Sequence, residues 1–171
     1  MLDDTVVIFT SDNGYFRGEH RIPDNKIHLY EPSIRVPLLV RGPGVARGTT
    51  RDALVANIDL APTILDLAEA TPLRTMDGRS LVPDLATETS GPPRQILLES
   101  GTPRAPVRGV RTHRYVYIEH ATGERELYDL DTDPDELENR ADDPAMADVR
   151  ADLAERLDEL RSCAGRSCRS G

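Results

Sequence analysis

The stretch Thr5-Val6-Val7-Ile8-Phe9 is β-branched and aromatic with no polar alternation, and Asp12 and Asn13 follow it almost at once. Such a run suits a strand covered on both faces, as in a parallel or mixed sheet, and so points to an α/β fold. In open α/β sheets ligands bind beyond the carboxyl ends of the strands, which is where Asp12 and Asn13 stand. A charged and a neutral oxygen donor there suit a hard divalent cation. Ser11-Asp12-Asn13-Gly14 is equally favoured turn chemistry, so these residues alone leave both readings open.

Further along, Val36–Val40 repeats the buried-strand character and stops at Gly42-Pro43-Gly44. Asp59 is expected to cap a helix running through Leu60, Ile64, Leu65 and Leu67 to Ala68, with Pro62 in its first turn and its apolar face packed inward. Residues 86–93, "ATETSGPP", have linker composition and divide the chain into residues 1–89 and 90–171. After them, "RQILLES", "PVRGVRT", "RYVYIEH" and "ELYDLD" predict a small antiparallel sheet with hairpins near His113 and Gly123. Met146, Val149, Leu153, Leu157 and Leu160 recur at helical steps behind Asp143 as cap and Pro144 at the first helical position. They predict a closing amphipathic helix laid over that sheet.

Composition narrows the partners. A net charge of −9 and arginines scattered without a run argue against nucleic acid, and no apolar run is long enough to cross a membrane. The opening Met-Leu-Asp-Asp-Thr lacks the features of a secretory signal, so taken literally the start implies a cytoplasmic chain. Of 21 basic residues only Lys26 is a lysine. It is a compact point charge where arginine would be planar, though a lysine opening a solvated helix needs no function.

The residues "TSDNGY", Gly18, Lys26, "LYE" at 29 to 31 and "IRVPLLVRGPG" at 34 to 44 together resemble the sulfatases of the alkaline-phosphatase-like superfamily, of the glucosamine-6-sulfatase type. The likeness runs on through "NIDLAPTILDLA", "MDGRSL", "RTHRYVYI" and "ELYDLDTDPDELEN", over nearly the whole chain. It implies the C-terminal part of an α/β sulfatase catalytic lobe followed by the small sheet lobe. By the same resemblance Asp12 and Asn13 are two ligands of one calcium ion, the remaining ligands lying on an N-terminal portion of the enzyme, and Lys26 holds the sulfate group. A fixed metal and ammonium would stabilise the charge that develops as a sulfate ester breaks. Asn at the second ligand position, where two-metal phosphatases of the superfamily place His, favours sulfate over phosphate transfer. His20 could protonate the leaving alcohol or contact the sugar, or could simply pack against Tyr15 or Phe16. Glu31 and Arg35 are read as an ion pair orienting the helix.

The family's nucleophile is a formylglycine made within a Cys/Ser-x-Pro-x-Arg motif. Ser90-Gly91-Pro92-Pro93-Arg94 matches it formally but ends a linker and precedes a strand, so Ser90 is read as linker. Asp3-Asp4 precede a strand where the family's first metal carboxylates follow one. Asp129, Asp131, Asp133 and Asp135 alternate like a calcium loop, yet Pro134 stands where such a loop needs Gly, so they read as a turn. Cys163 and Cys168 are too few for a zinc site. Free thiols remain open, but similar sulfatases end in such a pair, and the resemblance implies a disulfide and a secreted or extracytoplasmic full-length enzyme. The sequence therefore leads us to expect a truncated sulfatase chain, inactive by itself, for sulfated amino sugars or glycans. The alternatives are a phosphodiesterase or phosphonate hydrolase of the same superfamily, and a non-catalytic calcium- or glycan-binding remnant.

Overall fold

A computed structural model describes residues 2–86 and 93–169. The protein is mixed α/β and divides into two compact units. One contains the described residues of Met1–Asp12, Pro37–Arg94 and Cys163–Gly171, the other Asn13–Val36 and Gln95–Ser162. The units do not follow a single cut near residue 89, because residues 13–36 pack with the later sheet. The expected linker, apart from its two ends, and Ser90 lie outside the described residues.

In the first unit, β1 (Val7–Phe9) pairs antiparallel with β2 (Leu39–Arg41), Phe9 opposite Leu39. This corrects the expected doubly covered strand of a parallel or mixed sheet. The ribbon has two strands, and Val7, Phe9 and Leu39 remain 46%, 61% and 60% exposed. Two strands alone give each other edge hydrogen bonds, not a covering layer. Gly42 is fixed by crowding, since a Cβ there would lie 2.7 Å from Val6 Cα.

The same unit holds α2 (Leu60–Leu67) and α3 (Val82–Ala86). Two expectations for α2 need correction. Its buried residue is Thr63, while Ile64 is 54% exposed. Asp59 closes a 3-10 turn at Asn57–Asp59, and its carboxylate makes no capping bond to α2. Instead it reaches back to Ala56 N at 2.8 Å, accepts Arg79 N at 2.8 Å and pairs with buried Arg94. Its carbonyl accepts the Thr63 hydroxyl, which in turn accepts Leu81 N at 2.9 Å. A fully buried carboxylate persists only when paired and hydrogen-bonded in this way.

The C-terminal segment returns to this unit. Cys163 and Cys168 form a disulfide, Gly165 N donates to Asp77 Oδ1 at 2.7 Å, and Arg169 Nη2 donates to Met76 O.

The second unit is built on an antiparallel sheet in order β3 (Ile96–Thr102), β4 (Ala105–Arg111), β5 (Tyr115–His120) and β6 (Arg125–Asp129). The hairpins fall at 112–114 and 121–124, as read from the sequence. Gly123 occupies the second turn at φ 95°, a region that favours glycine. Alternation along β5 sends its side chains to two layers. Val116 and Ile118 pack with Leu29, Tyr30 and Ile34, the last two flanking or within the short helix α1 (Glu31–Ile34). On the opposite face α4 (Ala147–Arg161) buries Leu153, Leu157 and Leu160, and Arg161 reaches Glu119. Asp143 accepts Ala145 N at 2.8 Å with Pro144 next, so the expected cap stands.

Glu136 ties α1 to this sheet. It is 1% exposed, its Oε2 accepts Glu31 N at 2.7 Å, and its Oε1 has no partner among the described residues. Burial pushes its carboxyl up from 4.5 to about 7; the Glu31 N–H and Arg111 oppose that rise, and the Glu31 and Asp133 carboxylates add to it.

Two stability predictions follow from these buried acids. Asp59→Ala strands Arg94 and should cost about 3–5 kcal/mol in urea unfolding. Glu136 binds a proton in the folded state that the unfolded chain releases between pH 4.5 and about 7. Its destabilising effect is therefore absent below that window, grows as pH rises through it and is complete above it. Relative to the natural chain, Glu136→Gln should gain on the order of 1–3 kcal/mol between pH 4.5 and about pH 8. A pH-independent difference between the two unfolding free energies would contradict this assignment.

Candidate functional site

Asn13, His20 and Lys26 lie on one loop of the second unit, and the local backbone explains how each is held. Gly14 N donates to Ser33 O at 2.8 Å, and a Cβ on Gly14 would lie 2.1 Å from Pro32 O. The "SDNGY" stretch thus needs glycine because the chain presses against α1 there. Two residues on, Phe16 N donates to Asn25 O at 2.8 Å, closing the loop between them over a fully buried Phe16 ring.

Inside that loop Gly18 has φ 126°, His20 φ 54° and Arg21 φ 59°. Two successive non-glycine residues in the left-handed region are costly for L-amino acids. The turn is stitched by Gly18 N to Ile22 O at 3.0 Å and Arg21 N to Gly18 O at 3.0 Å. Glu19 accepts Arg17 N at 2.5 Å, and that bond holds its carboxyl below the usual range.

His20 is half-buried. Its ring stacks on Tyr30 at 4.2 Å with 8° between planes and meets the edge of Phe16 at 6.1 Å. The packing partner expected from sequence, Tyr15 or Phe16, is therefore half right; Tyr15 instead donates to Asp24. Tyr30 Oη donates to Glu126 Oε2 at 2.8 Å, Tyr128 Oη donates to the same oxygen at 2.6 Å, and His120 Nε2 lies 2.5 Å from Oε1. Burial raises the Glu126 carboxyl, but the bonds from Tyr128, Tyr30 and His120 outweigh it and hold the group below the carboxylate range. Both phenols are pushed upward, first by burial and then by their bonds to Glu126.

Lys26 is exposed on a pinned backbone. Its N and that of Ile27 donate to Asn25 Oδ1 at 2.6 and 2.9 Å, and its carbonyl accepts Ser33 Oγ at 2.7 Å. Asp12, in the first unit, is exposed; Ser11 Oγ donates to its Oδ1 at 3.3 Å and Asn57 Nδ2 donates to its carbonyl at 2.8 Å. Asn13 Nδ2 donates to Gly14 O at 2.7 Å. A carboxylate and an amide oxygen are donors calcium accepts, and they supply two of the six to eight it takes. Among the described residues no group of three or more His, Cys, Asp or Glu could hold a metal ion, so the pair fits part of a calcium shell.

The other sequence candidates resolve simply. Glu31 pairs with Arg111 at 2.8 Å and more loosely with Arg35 at 3.7 Å, an ion pair that orients α1. Asp129 receives Arg114 twice, at 2.8 and 2.6 Å, while Asp133 caps Leu137 N and Glu138 N at 3.0 and 2.8 Å, as a turn requires. Asp3 and Asp4 are exposed in a 3-10 turn ahead of β1. Sequence reasoning gave no role to Asn57, Tyr30, Glu126 or His120. Tyr30 stands 96 residues from Glu126, and only sheet register brings them together.

Comparison with known proteins adds the rest. Residues 18–163 match the family model described as N-sulphoglucosamine sulphohydrolase, C-terminal. The chain is 36% identical over 99% of its length to human N-acetylglucosamine-6-sulfatase, and 38% identical over 84% to choline-sulfatase of Rhizobium meliloti. It spans 37% and 28% of those two proteins. Among solved structures, one bound to its substrate D-glucosamine-2-N,6-O-disulfate superposes with a TM-score of 0.87 at 30% identity, covering 98% of this chain and 35% of that one. The phosphonate monoester hydrolase of Agrobacterium radiobacter gives 0.81 at 30% identity, covering 94% of this chain and 35% of its own. With a family model covering most of its residues and a relative this similar along almost its whole length, the chain belongs to the sulfatase family, in its N-sulphoglucosamine sulphohydrolase C-terminal branch.

Proposed function

We propose that this chain forms part of a sulfuric ester hydrolase acting on sulfated amino sugars or glycans. The observation that carries this reading is the 36% identity to an N-acetylglucosamine-6-sulfatase along 99% of the chain, a span that includes the whole loop bearing Asn13, His20 and Lys26. The substrate class is supported by the structural neighbour bound to a sulfated glucosamine. Because the chain spans 37% of that relative, its working partner is an N-terminal portion of the same enzyme, which supplies the nucleophile and the other metal ligands.

In this reading Asp12 and Asn13 give oxygen ligands to one calcium ion, which when bound draws charge from the sulfate oxygens. Lys26 binds the sulfate: its ammonium rides on a backbone held at both N–H and carbonyl, so little ordering is needed to present it. His20 donates a proton to the leaving alcohol or hydrogen-bonds the sugar. A secreted or extracytoplasmic setting is supported by the Cys163–Cys168 disulfide and by a Drosophila melanogaster relative named as an extracellular sulfatase, 42% identical over 48% of this chain.

A second reading rests on the phosphonate monoester hydrolases, with TM-scores of 0.81 and 0.83. Asn13, a neutral ligand, favours the ester that leaves one metal enough. The two separate in a substrate panel run on the longer enzyme containing these residues. Glucosamine 6-sulfate should turn over faster than any phosphonate monoester; the reverse order would sink the sulfatase reading. Lys26→Ala should lower kcat/KM on the sulfate about 10²–10³-fold, the scale of a lost charge-stabilising donor. The 171-residue chain alone should show no turnover of an aryl sulfate with calcium present. Isothermal titration of the longer enzyme should show weaker calcium binding after Asp12→Ala, and unchanged affinity would remove Asp12 from the ligand set.

A further inference from the structure

His20 sits on backbone that its own chemistry does not favour, at φ 54° and ψ 21° with Arg21 at φ 59° behind it. Backbone of this kind persists where surrounding contacts over-determine it, and it concentrates at working sites. The contacts that do so here run from the imidazole into the sheet. Tyr30 offers its face to His20 at 4.2 Å and its edge region is boxed by Phe16 at 6.2 Å and Tyr128 at 6.0 Å. Its hydroxyl ends on Glu126, and that carboxylate has Tyr128 on the same oxygen and His120 on the other. A phenol ring fixed at its face, its edges and its hydroxyl has no rotation left to it.

We propose that Tyr30 and Glu126 are positioning residues for His20: Glu126 anchors the Tyr30 hydroxyl, and the anchored ring sets the plane and reach of the imidazole. This rests on the reading of His20 as part of the sulfate-ester site. Neither residue is a catalytic one; Glu126 meets His20 only through Tyr30. The arrangement has a physical use. An imidazole that must meet a leaving oxygen within hydrogen-bond reach cannot ride on a freely moving loop, and misplacement by about 1 Å can cost about a hundredfold in rate. Building the orienting ring on the sheet, 96 residues away from its anchor, places that precision on a rigid element and leaves the loop free of it.

The test reads His20 directly. In the 171-residue chain, the His20 ring protons should show an upfield ring-current shift in carbon-edited NMR. Tyr30→Leu should abolish that shift. Tyr30→Phe, which keeps the ring and removes only the hydroxyl, should reduce it by about half as the ring begins to move. Glu126→Ala should do the same, and Glu126→Gln, which keeps an acceptor oxygen, should restore it. Amide signals of Val116 to Ile118 report whether the sheet is intact, and if Glu126→Ala unfolds, Tyr30→Phe still decides. Unchanged His20 shifts in Tyr30→Phe would overturn the proposal. In the longer enzyme Tyr30→Phe should lower kcat about tenfold with KM within about twofold, and add nothing to His20→Ala. If His20→Ala alone leaves kcat unchanged while the NMR shifts respond as stated, the role of His20 fails and the orienting contact stands. Additive losses from the two substitutions would refute the coupling itself.

Discussion

The docking of residues 29 to 34 onto the antiparallel sheet is the contact on which the candidate loop depends. Leu29 packs with Val116 and Ile118, Tyr30 reaches Glu126, and Glu31 is held at its backbone by Glu136 and at its carboxylate by Arg111. Three consecutive residues thus use apolar burial, a phenol bond and paired charge to fasten one short helix. Ser33 of that helix then secures Gly14 through its carbonyl and Lys26 through its hydroxyl. A short helix has little intrinsic stability, so its geometry is borrowed from the sheet. The loop that carries Asn13, His20 and Lys26 inherits the same support. This is why the raised carboxyl of Glu136 lies under the helix and not in solvent: its protonated form suits a dry contact, and its charged form strains one.

Much of this was legible in the sequence where local pattern and final environment agree. The four strands, both hairpins and the capped helix at 147–161 are each favoured by their own residues and then packed as those residues suggest. Reading failed where an apolar pattern did not meet a cover. Val7 and Phe9 look like the interior of a doubly buried strand, yet a two-stranded ribbon leaves them open. Asp59 looks like a helix cap, because acceptors before apolar runs usually are, but an arginine 35 residues later and two backbone donors claim it. The loop residues Asp12, Asn13, His20 and Lys26 could be picked out by family likeness. The residues that hold His20 could not, since no local spacing links Tyr30 to Glu126 or to His120.

The two units also divide their polar interiors differently. In the first, a single carboxylate collects backbone donors and one guanidinium, and removing any partner leaves charge without compensation. In the second, Glu126 collects two phenols and an imidazole, so charge is shared among groups that are neutral or can be. The first arrangement fixes chain segments; the second fixes rings. That contrast matches their neighbours, since Asp59 joins turns and helices while Glu126 underlies an aromatic cluster.

The path of the chain between units has a consequence for how the molecule is made. It passes from the first unit to the second at residues 12 and 13, back at 36 and 37, across again at 94 and 95, and returns at 162 and 163. Neither unit is a contiguous piece of the gene, and neither can be cut out as a fragment or exchanged as a cassette. During synthesis the first unit also waits longest for its final strap. The segment from Cys163 to Arg169, which grips Met76 and Asp77, is the last of the described chain to leave the ribosome. The second unit has all its strands and its closing helix before that moment. Assembly order is thereby the reverse of sequence order: the unit that begins the chain is the one completed last.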